Sequence, residues 1–224
     1  MRLEKQQKLL ELETQALNQK YPSLQLYMSD DGSAFIKGSI EIEQDISYSV
    51  KLYLTAEYPR REPILICNRA EIPWTLDRHV FPSNGSACLC VRSETRIHWS
   101  RGSDITAFID KLVIPFFVWQ NYYESYGEPP PSGERSHFGP GIIESYKDIL
   151  CPINDITEKQ IHHFMKLLSR KKEPAGHELC PCLSGKKLRF CHRKFLQDLR
   201  CKIDPRHALL DMNEAFPKKK KILC

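Results

Sequence analysis

The chain has 224 residues, enough for one medium domain with an appendage or for two small domains. Its composition, 41% hydrophobic and 27% charged, is ordinary for a globular protein, and no apolar run approaches the roughly 20 residues of a membrane span. The N-terminal stretch is charged throughout and contains no apolar signal core. We therefore expect a soluble, cytoplasmic protein with no membrane segment.

The charge is unevenly distributed along the chain. Residues 1–156 contain 16 Lys and Arg against 21 Asp and Glu, a net charge of −5, whereas residues 157–224 contain 17 against 7, a net charge of +10. Such a basic region can bind an acidic partner or nucleic acid, or it can be a solvated surface with no partner. Few aromatic residues stand between the basic ones to stack on bases, so nucleic-acid binding is the less favoured of these interpretations.

The first half of the chain predicts one helix followed by four strands. Residues 2–19 are expected to be helical because apolar residues recur on one broad face: Leu3, Leu9, Leu10, Leu12, Ala16 and Leu17. Alternating or short apolar segments then predict strands over 24–28, 34–43, 47–55 and 64–67. Since the turns between them are short, the strands are expected to form an antiparallel meander, which gives an α+β fold class.

The second half predicts helices separated by irregular segments. Residues 69–103 show little periodicity and are rich in turn-forming residues, a composition typical of loops that contain functional sites. Beyond them the pattern predicts a core helix over 104–123 with Asp104 as its N-cap, a loop over 127–141, an amphipathic segment over 142–150, a helix over 157–169, a linker over 170–176 and a mobile end over 216–224.

Nine cysteines are present in a chain without an export signal, which favours metal binding and thiol chemistry over disulfides. Cys180 and Cys182 are followed by Cys191 and His192, which together supply the donors of a closed tetrahedral zinc site. The sequence therefore predicts a structural Zn²⁺ bound by these four residues. The segment is too short to have a core of its own, so we expect the metal to hold it folded as a basic knob on a linker.

The segment around this cluster resembles the SEC-C motif, which is found at the end of the SecA translocation ATPase and in many bacterial proteins. Residues 184–187, Ser-Gly-Lys-Lys, match the motif, whereas Leu183 stands where the family usually has Gly. The resemblance implies a role in docking to other proteins and not in catalysis.

Three short motifs follow one another in the first half of the chain: Tyr58-Pro59 with Pro63, SNGSACL at 83–89, and Trp99-Ser100. With the order helix, four strands, irregular crossing and core helix, they resemble ubiquitin-conjugating (E2) enzymes over about residues 1–125. The resemblance implies an E2 (UBC-like) fold and places Cys88 at the active-site cysteine, which carries a protein C-terminus as a thioester. A cysteine suits this chemistry because its thiolate attacks readily and its thiol leaves readily.

One part of the E2 pattern is missing. Typical E2 enzymes have His-Pro-Asn before the cysteine, whereas residues 79–82 of this chain are His-Val-Phe-Pro. The Asn supports the loop and is often assigned to oxyanion stabilisation, so another group is expected to replace it. Four residues are candidates for that support: His79, Asn84, His98 and His137. Cys90, which an extended strand would place on the same face as Cys88, is either a resolving thiol or buried packing.

The altered motif makes the chain resemble the stand-alone E2 proteins of bacterial antiphage operons that signal through cyclic nucleotides, the CBASS type. The resemblance implies a donor protein with a flexible C-terminus, of the cGAS/DncV-like nucleotidyltransferase class or a ubiquitin-like protein, and a second protein as acceptor. An alternative is an E2-fold adaptor that binds such a partner without catalysis. The expected organisation is an E2-like domain over 1–152, a helix and linker over 153–175, the SEC-C-type zinc motif over 176–202 and a basic tail over 203–224.

Overall fold

The computed structural model describes residues 2–29, 33–131 and 139–217, with side chains from residue 7 onward. Contacts within the chain divide the described residues into two compact units. The first unit consists of residues 2–89 and 98–131, and the second of residues 90–97 and 139–217. The domain boundaries expected from the sequence, with the first at residue 152, stay a prediction.

The first unit contains one four-stranded antiparallel sheet. Its strands, in spatial and chain order, are β1 (Leu24–Met28), β2 (Ala34–Glu43), β3 (Ile46–Leu54) and β4 (Ile64–Leu65). Leu52 pairs with Ile36 on one side and with Leu65 on the other, and all three side chains are buried. Because side chains alternate between the two faces of a strand, these apolar positions cover one face of the sheet. The structure thus confirms the α+β class and the antiparallel meander.

Helix α1 (Arg2–Lys20) precedes the sheet and buries Leu10 and Leu17, as its apolar repeat predicts. The expectation for Leu12 is wrong, because its side chain is 55% exposed. Glu13 is buried instead, since its carboxylate accepts hydrogen bonds from the Tyr58 hydroxyl and from the amide of Ile105 at 2.8 Å. These two donors offset part of the cost of burying the carboxylate.

The predicted core helix is continuous but changes its geometry along its length. After the short helix α2 (Thr95–His98), it consists of α3 (Ile105–Phe108), a π-helical turn (Ile109–Val113) and α4 (Ile114–Tyr126). Asp104 is the N-cap, as predicted, and its side chain accepts a hydrogen bond from Ala107 N at 2.9 Å. The irregular turn ends two residues before Pro115, which has no amide hydrogen for a regular helical bond.

The second unit is helical and has a core of its own. It contains α5 (Gly139–Ile149), α6 (Glu158–Leu168), α7 (Arg193–Lys202) and α8 (Pro205–Ala215). Buried side chains from all four helices and from the cysteine segment form its core: Ile142, Tyr146, Ile161, Phe164, Cys180, Leu188, Leu196 and Ala208.

Two expectations for this region are corrected by the structure. Residues 203–217 were expected to be part of a basic tail, but they contain helix α8, which buries Ala208 and Asp211. The cysteine segment is not a knob on a linker, because Cys180 and Leu188 are buried in the core of the helical unit. Residues 218–224 lie outside the described residues. Among the helices that the structure describes, none has both the length and the apolarity needed to cross a bilayer.

Candidate functional site

Cys88 belongs to a segment that extends the sheet beyond β4. Ile66 forms an antiparallel bridge with Ser86, and Ala87 N donates a hydrogen bond to Leu65 O at 2.8 Å. Cys67 N donates to Gly85 O at 2.9 Å, so residues 85–87 run antiparallel to the end of β4. The pattern of residues 69–103 predicts no regular structure, because this pairing depends on contacts between segments that are distant in the chain.

The other edge of the same segment closes a hairpin. Val80 forms an antiparallel bridge with Ala87, and Phe81 N donates to Ser86 O at 3.0 Å. Cys88 N donates to His79 O at 2.8 Å. The main chain at Cys88 is therefore fixed by a hydrogen bond, whereas the residue as a whole is half-buried and its thiol forms no disulfide.

The turn of this hairpin depends on a glycine. Gly85 has a φ of 70°, and a Cβ atom added to it would lie 2.3 Å from the ring of Trp74. The ring is held in place because Trp74 Nε1 donates to Cys67 O at 3.0 Å. A side chain at position 85 would thus meet both backbone strain and a collision, and only glycine fits.

Asn84 shapes the same turn. Its Oδ1 accepts hydrogen bonds from Ser86 N at 3.0 Å and from Ser86 Oγ at 2.8 Å, which is an Asx-type arrangement. The amide oxygen of Asn84 is therefore engaged in local structure. A supporting role of Asn84 in catalysis stays a prediction.

His79 lies next to Cys88 across the hairpin, and the structure connects the two through their main chains. The residue ends a 3₁₀ turn (Leu76–Arg78) in the left-handed region, with a φ of 54°. Its ring is buried and packs edge-on against Trp119 of α4, with the ring centroids 4.7 Å apart. His79 thus has a clear structural role at the site, and a chemical role for its ring stays a prediction.

The other predicted supporting residues differ in their placement. Cys90 belongs to the second unit, where it is buried and its Sγ lies 3.5 Å from Thr95 Oγ1. Residues 88–90 belong to no strand, and a role of Cys90 in the chemistry stays a prediction. His98 is half-buried at the end of α2, and His137 lies outside the described residues.

A second candidate site lies in the helical unit. Cys180, Cys182, Cys191 and His192 each contribute one donor atom, and these atoms all lie within 4.8 Å of one another. His192 Nδ1 is 3.3 Å from Cys180 Sγ and 3.2 Å from Cys191 Sγ, and the Sγ atoms of Cys182 and Cys191 are 3.6 Å apart. The set of residues that the sequence predicts is confirmed as a group that could hold a metal ion.

Local backbone geometry brings these donors together. Cys180 N donates to Lys186 O at 2.9 Å, and Leu179 bridges Lys187, so the first two cysteines lie in a tight hairpin. Leu183 and Gly185 in its turn have φ values of 60° and 74°. The left-handed conformation of Leu183 explains why a glycine is favoured at this position in the motif that the segment resembles. The other two donors come from the start of α7, where His192 is the N-cap.

The donor set has the spacing that a tetrahedral ion requires. Sulfur and nitrogen ligands at ~2.3 Å and ~2.0 Å from a tetrahedral centre lie roughly 3.5–3.8 Å from one another. Three of the donor separations, 3.2, 3.3 and 3.6 Å, are within a few tenths of an ångström of those values, and all the donor atoms lie within 4.8 Å of one another. Three thiol donors and one imidazole are also the donor types that a soft or borderline divalent ion prefers, so the residues fit the ion.

The surroundings shift the pKa values of Cys180 and Cys182 in opposite directions. Burial raises the pKa of Cys180 to about 12. Burial also disfavours charge on Cys182, but hydrogen bonds with Ser184 and with the neighbouring thiols lower the pKa of Cys182 to about 6. Three crowded thiolates repel one another, and a divalent cation compensates for that charge.

Comparisons of the chain with known protein families, with curated proteins and with solved structures find no match. The candidate sites therefore rest on the residues and their geometry.

Proposed function

We propose that the protein is an E2-like transferase that carries the C-terminus of a donor protein as a thioester on Cys88 and conjugates it to an amine of a target. The observation that supports this most is the placement of Cys88, a half-buried thiol on a hairpin joined to the sheet by backbone hydrogen bonds. A rigid scaffold that presents a partly accessible nucleophile is what covalent catalysis requires.

The proposed reaction has two steps at one carbonyl carbon. First, the Cys88 sulfur displaces the leaving group of a donor C-terminus that a separate ATP-dependent enzyme has activated. Second, an acceptor amine attacks the thioester, the C–S bond breaks, an amide forms, and the amine proton passes to a base. Because Cys88 must remain a thiol between turnovers, the reaction suits a reducing compartment such as the cytoplasm.

We propose an E2 (UBC-like) fold for the first unit. The order of elements supports it: helix α1, the four-stranded meander, the hairpin that contains Cys88, and the core helix that begins after Asp104. The motifs SNGSACL and Trp99-Ser100 support the same assignment. The altered His-Pro-Asn motif makes the chain resemble CBASS-type E2 proteins, which suggests a cGAS/DncV-like nucleotidyltransferase as donor in antiviral defence, with a ubiquitin-like protein as the other class of donor.

We propose that Cys180, Cys182, Cys191 and His192 bind one structural Zn²⁺. Fully protein-derived coordination leaves no open position for substrate, so the ion would support folding and not catalysis. The cluster joins the hairpin to α7, and Gln160 of α6 donates a hydrogen bond to Cys182 O at 2.7 Å. The ion would therefore link the segments that surround the core of the second unit, and we propose that this unit docks a protein partner.

The function is tested by co-expressing the protein with a cyclase of the proposed class and analysing the mixture on a non-reducing gel. A thioester predicts a higher-mass band that disappears with thiol reductant and is missing in Cys88→Ala. In Cys88→Ser the band is expected to survive the reductant as an ester. Cys151→Ala serves as the control for loss of an accessible thiol, because Cys151 is exposed to solvent and lies outside the site.

Two further outcomes separate the alternatives. Cys90→Ser is expected to keep the adduct, and its loss in a folded variant would assign Cys90 to the chemistry. If no adduct forms with any donor while the two proteins still co-purify, the catalytic proposal is wrong and an adaptor role replaces it.

A further inference from the structure

One buried side chain of α4 holds both the side chain and the main chain of Arg78. Gln120 is completely buried, its Oε1 accepts a hydrogen bond from Arg78 Nε at 2.7 Å, and its Nε2 donates to Arg78 O at 2.7 Å. Because the oxygen and the NH₂ group of one side-chain amide both form hydrogen bonds with Arg78, this residue has little freedom to rotate or shift.

The rest of Arg78 is held by the same face of α4. Its guanidinium is 2.6 Å from Glu124 Oε1 and lies over the ring of Tyr123, 4.8 Å from the centroid. Glu124 in turn accepts a hydrogen bond from the Tyr48 hydroxyl at 3.2 Å. Positions 120, 123 and 124 adjoin on one helical face, so Arg78 is anchored to a rigid element.

The residue that follows Arg78 carries the contact to the nucleophile. His79 adopts a left-handed conformation, which is disfavoured for a side chain with a Cβ atom, so its neighbours must stabilise it. Its carbonyl accepts the hydrogen bond from Cys88 N. A shift of the peptide group between Arg78 and His79 would move that carbonyl.

We infer that Gln120 is a positioning residue for Cys88, acting through Arg78 and the carbonyl of His79. It supplies from α4 the backbone support that the E2 resemblance assigns to an Asn missing from this chain. The chemical consequence rests on the proposed function, whereas the positioning itself does not. The inference also separates the two halves of Gln120: its oxygen holds the Arg78 side chain, and its NH₂ group holds the Arg78 main chain.

Two substitutions test these halves. Gln120→Met has a similar length and loses both hydrogen bonds. Gln120→Glu keeps an oxygen for Arg78 Nε, but its ionised form cannot donate to Arg78 O. Ile36→Val, a small deletion in the buried sheet core, is the control for a general loss of stability.

The first measurement is amide hydrogen exchange at Cys88 by NMR of protein labelled with ¹⁵N-cysteine, which needs no activity. Both Gln120 variants are expected to exchange this amide about ten-fold faster than the wild type, as local opening becomes easier. The melting temperature is expected to fall in Gln120→Met more than in Gln120→Glu. Equal Cys88 exchange in Gln120→Glu, Ile36→Val and the wild type would overturn the inference, even if Gln120→Met does not fold.

The second measurement is the rate of thioester formation at saturating and at low concentrations of the donor protein. A positioning role predicts a kcat about ten-fold lower with little change in KM, because donor binding is untouched. A folded variant with faster exchange but unchanged kcat would overturn the link to catalysis. If the wild type forms no thioester, the proposed function fails while the exchange result still decides the positioning.

Discussion

The amide of Cys88 donates a hydrogen bond to the carbonyl of His79 at 2.8 Å. On the next residue back, Ala87 N donates to Leu65 O at 2.8 Å, so successive amides bind to opposite neighbours. The chain that leads to the thiol is therefore held from both sides. In the reaction proposed for Cys88, such a placement would reduce the motion that must be restricted before donor and acceptor react at the thiol.

Gly85→Ala is expected to destabilise the first unit by about 2–4 kcal/mol, because the new methyl group combines a positive φ with a collision. The collision partner is the ring of Trp74, 2.3 Å from the added Cβ. Gly127→Ala is the matched control, since it also has a positive φ but meets no atom within 4 Å. Its expected loss is only about 1–2 kcal/mol. Urea denaturation measures both, and equal losses would contradict the packing argument.

Asp211→Ala is expected to destabilise the second unit by about 2–4 kcal/mol, because it leaves buried donors without their acceptor. The completely buried carboxylate accepts hydrogen bonds from Ser93 N at 3.1 Å and from Ser93 Oγ at 2.5 Å, and it also pairs with Arg92. Glu214→Ala, which removes only the more exposed partner of Arg92, is expected to cost about 0–1 kcal/mol. Thermal denaturation compares the two variants, and a similar small loss in both would contradict the role of the buried network.

The stability of the wild type relative to Glu13→Gln is expected to fall as pH rises. Burial raises the pKa of Glu13 above its ordinary value of 4.5, although Tyr58 and the amide of Ile105 donate hydrogen bonds that act in the opposite direction. The folded state then binds more protons than the unfolded state between the ordinary and the raised pKa. The contribution is complete below the ordinary value and is lost as pH rises through the raised one.

This pH dependence is measured as the difference in unfolding free energy between the two proteins from about pH 4 to pH 8. Groups common to both proteins cancel in the difference. Glu11→Gln, at an exposed position of the same helix, is the control for removing a carboxylate from α1. A difference that stays constant or increases with pH for Glu13→Gln would show that the direction of the pKa shift is wrong.

Removal of the proposed Zn²⁺ is expected to unfold the second unit, because the four candidate ligands join the cysteine hairpin to the start of α7. Metal analysis is expected to give about one Zn²⁺ per chain, lost in Cys182→Ser. Cys201→Ser is the matched control, since Cys201 is an exposed cysteine outside the cluster, and it should keep the ion. A structural site would be contradicted by full metal content in Cys182→Ser. It would also be contradicted if the helical circular-dichroism signal did not change when a chelator was added.

Several elements could be predicted because local sequence controls them. The bounds of β1 and β2, the N-cap at Asp104 and the ligand set at 180–192 follow from alternation, capping and spacing within short stretches. The sequence pattern does not predict helices α7 and α8, which lie in a region with many charged residues. Their apolar faces become evident only when Leu196 and Ala208 are seen packed in the core of the second unit.

The sequence by itself determined the α+β class, the meander and the candidate metal ligands, because these depend on residue types at short separations. Cys88 is a candidate nucleophile through the resemblance of about the first 125 residues to E2 enzymes. Only the tertiary structure decided that Cys88 lies on a hairpin joined to β4 by backbone hydrogen bonds. It also decided that Gln120 of α4 forms two hydrogen bonds with Arg78, the residue before His79. It likewise decided that Glu13, and not Leu12, faces the interior. The physical reason is that these relationships join segments far apart in the chain, where hydrogen bonds and burial depend on the packing of the whole unit and leave no periodic signal in the sequence.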